Sequence, residues 1–272
     1  CLPGKAQASM EEPITVETAM SEQPIIFEEW TTTGGELIAV ARLNTPRNLN
    51  SLSMEMIRLL KPQLTRWAED ERVCAVWLEA EGDKAFCAGG DIVSLYRSMT
   101  EPGKFGEGDQ FFTEEYELDY QIHTFPKPII CWGHGIVMGG GIGLMVGASH
   151  RVVTEHSKLA MPEVSIGLYP DIGAGWFLNR MPGRTGLFLG LTGARMNAAD
   201  ALFTGMADRF VKQELKAQVV DTLVAADWQG ADSHAVVSQV LRRYEQQSQD
   251  AVLESPVRQH YDEIQQATDA DS

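Results

Sequence analysis

Two carboxylates eight residues apart, Glu163 and Asp171, stand in the turn-rich stretch MPEVSIGLYPDIGAG at 161–175. A carboxylate beside an electrophilic carbon serves as general base or nucleophile, and a neighbouring one orients water and raises the pKa of the first by like charge. Upstream, Gly139-Gly140-Gly141 follows an apolar run at 128–132 and opens a run of small and apolar residues that meets its next charge at Arg151. Glycines opening a helix leave free N–H groups at the positive end of its dipole, a point that holds a phosphate or the oxygen of an attacked carbonyl. A second glycine turn, KAFCAGGDI at 84–92, follows the apolar run 75–79 and precedes a helix for which Asp91 is a natural N-cap. Two such units can aim two N–H groups at one oxygen.

Each feature has a plainer reading. The triplet also suits a buried helix that packs closely. Gly133-x-Gly135 after a strand, with Glu155 twenty residues beyond Gly135, imitates a dinucleotide fingerprint, but its third glycine position holds Met138. Asp171 suits a helix N-cap, and Glu163 after Pro162 suits an acidic first-turn residue. Glu115 lies in an acidic helix expected over 110–124, where a solvated charge is the ordinary explanation.

The three motifs taken together, KAFCAGGD, GHGIVMGGGIG and MPEVSIGLYPDIGAG, resemble the crotonase (enoyl-CoA hydratase/isomerase) superfamily over 25–211. The resemblance implies an acyl-CoA thioester as substrate and an oxyanion hole made by the N–H groups of Gly90 and Gly140. Hydratases carry a glutamate shortly after the triplet, where this chain has Gly143, and a second that matches Glu163. Gly143, the segment FFTEEY at 111–116 and the MPE…PD spacing resemble the 3-hydroxyisobutyryl-CoA hydrolase branch, which acts in valine degradation. That match carries over Glu115, Gly140, Glu163 and Asp171 as substrate-binding residues, with Glu163 and Asp171 catalytic. It places Glu115 at the pocket rim. The fold implied is α/β, a crotonase-like spiral of ββα units with a C-terminal helical region. A hydratase or isomerase on the same scaffold and a non-catalytic assembly subunit are the competing readings. Gly143 argues against the first, and retention of Glu163 and Asp171 against the second.

At 272 residues the chain suffices for one large domain with an appendage. The expected division is a disordered segment at 1–24, a spiral core at 25–197 and a helical region at 198–272. A net charge of −16 argues against nucleic acid and anionic membranes as partners, so polyanionic CoA depends on local Lys, Arg and backbone N–H groups. Cys1, Cys74, Cys87 and Cys131 show no C-x-x-C spacing and suit reduced thiols of a cytoplasmic protein. His123 and His134 lack partners at metal-ligand spacing, and neither G-x-S-x-G nor a Walker A sequence occurs. No metal and no cofactor are expected, CoA being part of the substrate. The first residues show neither a signal peptide nor the surroundings of a lipid-anchored cysteine. Relatives in the hydrolase branch run on for about another hundred residues, and the superfamily assembles as trimers or hexamers.

Strands are expected at 25–29, 37–43, 75–79, 128–132, 150–154 and 209–211. Ser53 should cap a helix over 54–69, with Met56, Ile57, Leu60, Leu64 and Trp67 on its buried face. Turn residues at 100–108 mark a loop. Beyond Gly175, helices are expected at 176–180, 185–192, 198–202, 215–226, 235–246 and 256–267.

Overall fold

Residues 37–43, LIAVARL, are apolar but for Arg42, the pattern of a strand covered on both faces. In the structure, a computed structural model describing residues 23–269, they form β2, Leu37–Leu43. This strand pairs antiparallel with β1, Ile25–Thr31, and parallel with β3, Val73–Ala80. Parallel pairing continues through β5, Ile129–Gly133, and β7, His150–Val153, to β9, Arg209–Phe210. The six-stranded sheet therefore runs β1-β2-β3-β5-β7-β9.

A second, parallel sheet is built from β4, Ala85–Cys87, β6, Ile136–Met138, and β8, Lys158–Ala160. Long strands β3, β5 and β7 each feed one of these short strands before the chain turns back. This is the crotonase-like spiral expected from the motifs. The short strands were not legible from sequence, because three residues between glycine turns are too few to show an alternation.

Helix α1, Met54–Glu69, starts at Ser53, whose Oγ accepts the N–H of Met56. Its buried face is the expected Met56, Ile57, Leu60, Leu64 and Trp67. The other helices are α2, Ile92–Thr100; α3, Glu107–His123; α4, Gly140–Gly147; α5, Ala174–Phe177; and α6, Thr185–Thr192. They continue with α7, Ala198–Thr204; α8, Lys216–Ala225; α9, Ser233–Gln247; α10, Pro256–Gln259; and α11, Tyr261–Ala267. The single helix expected over 256–267 is thus broken, with His260 between its two pieces.

One apolar core joins the large sheet to α1, α3 and α4. On the opposite face, Trp77 stacks on Trp132 at 5.5 Å, covered by Val219 and Leu223 of α8 and Leu241 of α9. The C-terminal helices are tied to the sheet by charge as well. Buried Glu79 meets Lys216 Nζ and Arg42 Nε, each at 2.6 Å, and accepts from Trp77 Nε1. Burial pushes the Glu79 carboxyl up, but these donors outweigh it and hold the group below its ordinary value. The expectation for residues 1–24 lies almost wholly outside the described residues.

Candidate active site

The turn at Gly89–Gly90 is fixed by the loop before α1. Ala88 N–H donates to Leu49 O, Leu52 N–H to Gly89 O and Asp91 N–H to Leu52 O. Leu49 and Asn50 both hold positive φ, at 54° and 52°. The buried Asn50 amide secures that strained loop, donating to Glu81 O and Ala85 O and accepting from Thr45 N–H. Asp91 accepts from Ser94 N–H and caps α2, as expected.

The second glycine turn follows β6. Gly139, at φ +48°, donates its N–H to Ala160 O of β8 and opens α4. The two turns stand against each other: a Cβ placed on Gly140 would lie 3.4 Å from Gly90 N, and one on Gly89 would lie 3.8 Å from Gly140 N. Among the described residues neither the Gly90 nor the Gly140 N–H has a hydrogen-bond acceptor. Two free donors from separate turns are what an oxyanion hole requires.

Glu163 stands at the start of a 3-10 turn, Glu163–Ile166, with its side chain turned inward at 5% exposure. Its Oε1 lies 3.1 Å from where a Gly139 Cβ would be, and its Oε2 has no hydrogen-bond partner. Burial first, then the charge of Asp171, raises Glu163 to about 7. A carboxyl near neutrality is suited to general-base work.

Asp171 is not a helix cap. Gly173 precedes α5 with no side-chain bond, and Asp171 Oδ2 accepts from Tyr116 Oη at 2.7 Å. Ile172, directly after it, holds φ +44°, a region in which a β-branched side chain is strained. Burial raises the Asp171 carboxyl, against the Tyr116 bond that lowers it. We expect Asp171→Asn to lower kcat by roughly tenfold, near the value of one hydrogen bond. Tyr116→Phe should act in the same direction. Steady-state kinetics with matched melting curves checks this; full activity in Asp171→Asn would remove Asp171 from the chemistry.

Glu115 is the residue that the solvated-face reading misplaces. It is buried, at 2% exposure, with its carboxylate against the Gly140 backbone. The solvated face belongs to Glu114 and Glu117, which pair with Arg58 and Lys61. Burial first, then Asp171 and Glu163, pushes Glu115 up to about 8.

Asp119, one turn beyond Glu115, has no assigned role in the sequence reading. α3 packs along the glycine face of α4: Glu115 meets Gly140, Asp119 meets Gly143, and Ile122 meets Gly147. Both Asp119 oxygens lie 2.8 Å from where a Gly143 Cβ would be. They are buried and unpartnered, and burial, with the charges of Glu115 and Asp171, drives the carboxyl well above its ordinary value. The available signal was the i, i+4 spacing from Glu115.

These carboxyls hold protons in the folded state that the unfolded chain releases above the ordinary carboxylate range near 4. Stability should therefore fall as pH rises from about 4.5 towards 7 to 8. Asp119→Asn should flatten that fall by up to about 1.4 kcal/mol per pH unit. Denaturant melts from pH 5 to 8 provide the check, and parallel curves for the two proteins would contradict it.

Among the described residues no group of His, Cys, Asp and Glu is arranged to hold a metal, and no helix is long and apolar enough to cross a membrane. Cys74, Cys87 and Cys131 are free and buried.

The spiral thus gathers two glycine turns with free N–H donors and several buried carboxyls in one region. The sequence profile described as enoyl-CoA hydratase/isomerase matches residues 38–272, and the chain belongs to that family. It is 42% identical over 237 residues to the mitochondrial 3-hydroxyisobutyryl-CoA hydrolase of Xenopus tropicalis, covering 86% of this chain and 60% of that protein. Its identity to the human mitochondrial protein of the same name is 40% over 226 residues, covering 83% and 57%. This chain thus spans somewhat over half the length of these relatives. Among solved structures it is similar to a carnitinyl-CoA dehydratase from Mycobacterium thermoresistibile, with TM-score 0.80, 32% identity and coverage of 92% and 68%. An enoyl-CoA hydratase from Rhodobacter sphaeroides gives TM-score 0.76 and 35% identity, with coverage of 90% and 66%.

Proposed function

We propose that this protein hydrolyses a short hydroxyacyl-CoA thioester, 3-hydroxyisobutyryl-CoA in the first instance, to the free acid and CoA, a step of valine degradation. The observation that carries this reading is Glu163, buried with an unpartnered oxygen beside the Gly139–Gly140 turn. The thioester carbonyl oxygen lies between the N–H groups of Gly90 and Gly140. As the carbonyl carbon is attacked, its charge moves to that oxygen, and each donor lowers the barrier by about 3–4 kcal/mol. Glu163 either removes a proton from the attacking water or attacks the carbon itself to form a mixed anhydride that a water then hydrolyses; both routes expel the CoA thiolate, which takes up a proton, and end in the free acid and regenerated Glu163. Asp171, held by Tyr116, orients water or substrate and keeps Glu163 basic. Glu115 borders the pocket against Gly140. CoA enters as part of the substrate, and this reading requires no cofactor or metal.

A hydratase is the second reading, favoured by one observation: Asp119 brings a carboxyl to the space beside Gly143. The names of the vertebrate relatives place those proteins in mitochondria. The buried free thiols suit the cytoplasm and any other reducing compartment; cell fractionation distinguishes them. Assembly as a trimer or hexamer, and a division of the chain at 197/198, belong to the same proposal and are open to sedimentation analysis and limited proteolysis. The activity itself is tested with a panel of short acyl-CoAs assayed for free thiol. Release favouring 3-hydroxyacyl chains is expected, and no release from any member would refute it.

A further inference from the structure

Residues 45–52, TPRNLNSL, form the loop that lies against the Gly89–Gly90 turn. Among the described residues, Asn50 is the one member of this loop whose side chain hydrogen-bonds beyond it. The Asn50 side chain is buried, and its oxygen and both amide protons are engaged. Nδ2 donates at 2.9 Å to Glu81 O, just past β3, and at 2.9 Å to Ala85 O, the first residue of β4. Oδ1 accepts the Thr45 N–H at 2.8 Å. Asn50 therefore clasps the loop to the strand that runs directly into Ala88, Gly89 and Gly90. Its φ of +52° lies in the left-handed region, which asparagine enters more readily than most residues.

At the far end of the loop, Leu52 and Gly90 form an isolated parallel bridge. Leu52 N–H donates to Gly89 O at 2.8 Å, and Leu52 O accepts the Asp91 N–H at 2.9 Å. Backbone groups of successive residues in an extended chain point to opposite sides. With Gly89 O and Asp91 N–H turned towards Leu52, the N–H of Gly90 is turned away from it. That side holds the second glycine turn, where a Cβ on Gly140 would lie 3.4 Å from Gly90 N. Resting on the oxyanion hole of the function proposed above, we propose that Asn50 is a positioning residue for the reaction. Its amide holds the loop to β4, the loop's bridge through Leu52 sets the direction of the Gly90 N–H, and that donor then meets the thioester oxygen in line. Hydrogen bonds weaken steeply as their angle closes, and a displacement of about 1 Å caused far from the chemistry costs on the order of 10²-fold in rate. The side-chain partners of Asn50 are backbone atoms of Thr45, Glu81 and Ala85, so its influence passes through the turn.

Two variants test this, each measured below its own melting temperature. Asn50→Gly takes a positive φ freely and removes the amide. Asn50→Asp keeps the size and the acceptor for Thr45 but, ionised, loses both donors, and it gives the same reading should Asn50→Gly fail to fold. Either should lower kcat by about 10²-fold with KM little changed. A spectroscopic readout separates positioning from stability. Isobutyryl-CoA with an isotope-labelled carbonyl is bound to Glu163→Gln, which slows turnover, and its carbonyl stretch is followed by infrared difference spectroscopy. Hydrogen bonds to the oxygen weaken the C=O bond, so the stretch should fall on binding. Adding Asn50→Gly or Asn50→Asp should reverse part of that fall, as Gly140→Pro in the same background should for the other donor. A folded Asn50 variant whose bound carbonyl is shifted as far as in Glu163→Gln alone overturns the proposal and leaves the oxyanion hole standing. No fall in Glu163→Gln itself, or none reversed by Gly140→Pro, refutes the oxyanion hole and this proposal with it.

Discussion

Glu163→Gln is expected to lower kcat by at least about 10²-fold, the low end for loss of a general base, with the fold intact. The amide keeps the size of the carboxylate but cannot accept the proton or attack the carbonyl. Glu163 makes no hydrogen bond or ion pair to another residue's side chain among the described residues, and its Oε2 has no partner, so the replacement removes little that holds the chain together. Its elevated pKa, about 7, adds a second signature. The base works deprotonated, so wild-type kcat should rise with pH through neutrality and level off above it, and the residual rate of Glu163→Gln should lose that limb. The double variant Glu163→Gln/Asp171→Asn should fall no further than a small factor below Glu163→Gln, because residues acting as one unit do not add. Full activity in Glu163→Gln would contradict the mechanism.

Gly140→Pro should cost about 10²–10³-fold in kcat, the value of one oxyanion donor, because proline has no N–H. The first position of a helix accepts proline, so the backbone of α4 can tolerate the change. Crowding is the complication: any Cβ at Gly140 pushes on the Glu115 carboxylate. Gly140→Ala carries the same Cβ and keeps the N–H, so the difference between the two variants isolates the donor. Circular dichroism confirms folding. Equal activity in folded Gly140→Pro and Gly140→Ala would remove the oxyanion hole from this turn.

The parts of this molecule that were legible in its sequence are those written in local chemistry. α1 was visible complete, because Ser53 caps it and its apolar residues recur at helical spacing. The glycine turns were visible because glycine readily takes the positive φ held by Gly89 and Gly139 and leaves room for the two turns to approach. Contacts between segments distant in the chain were not visible. Asp119 reads as one more acid on a charged helix until α3 is laid along the glycine face of α4. Asp171 looks like a cap until the hydroxyl of Tyr116, fifty-five residues away, is seen to hold it. The second sheet escaped for another reason: each of its strands is three residues long and finds its partners only through the spiral. The resemblance to a family supplied Glu115, which pattern alone assigns to the solvated face.

The most direct measurement follows two signals from one purified preparation: free thiol from 3-hydroxyisobutyryl-CoA, and enoyl absorbance of crotonyl-CoA. The account predicts thiol release with little or no loss of enoyl absorbance, since Gly143 leaves the scaffold without the second acid/base glutamate of a hydratase. Rapid hydration of crotonyl-CoA without thiol release would contradict it, and would assign the Asp119 carboxyl to the place of the missing glutamate.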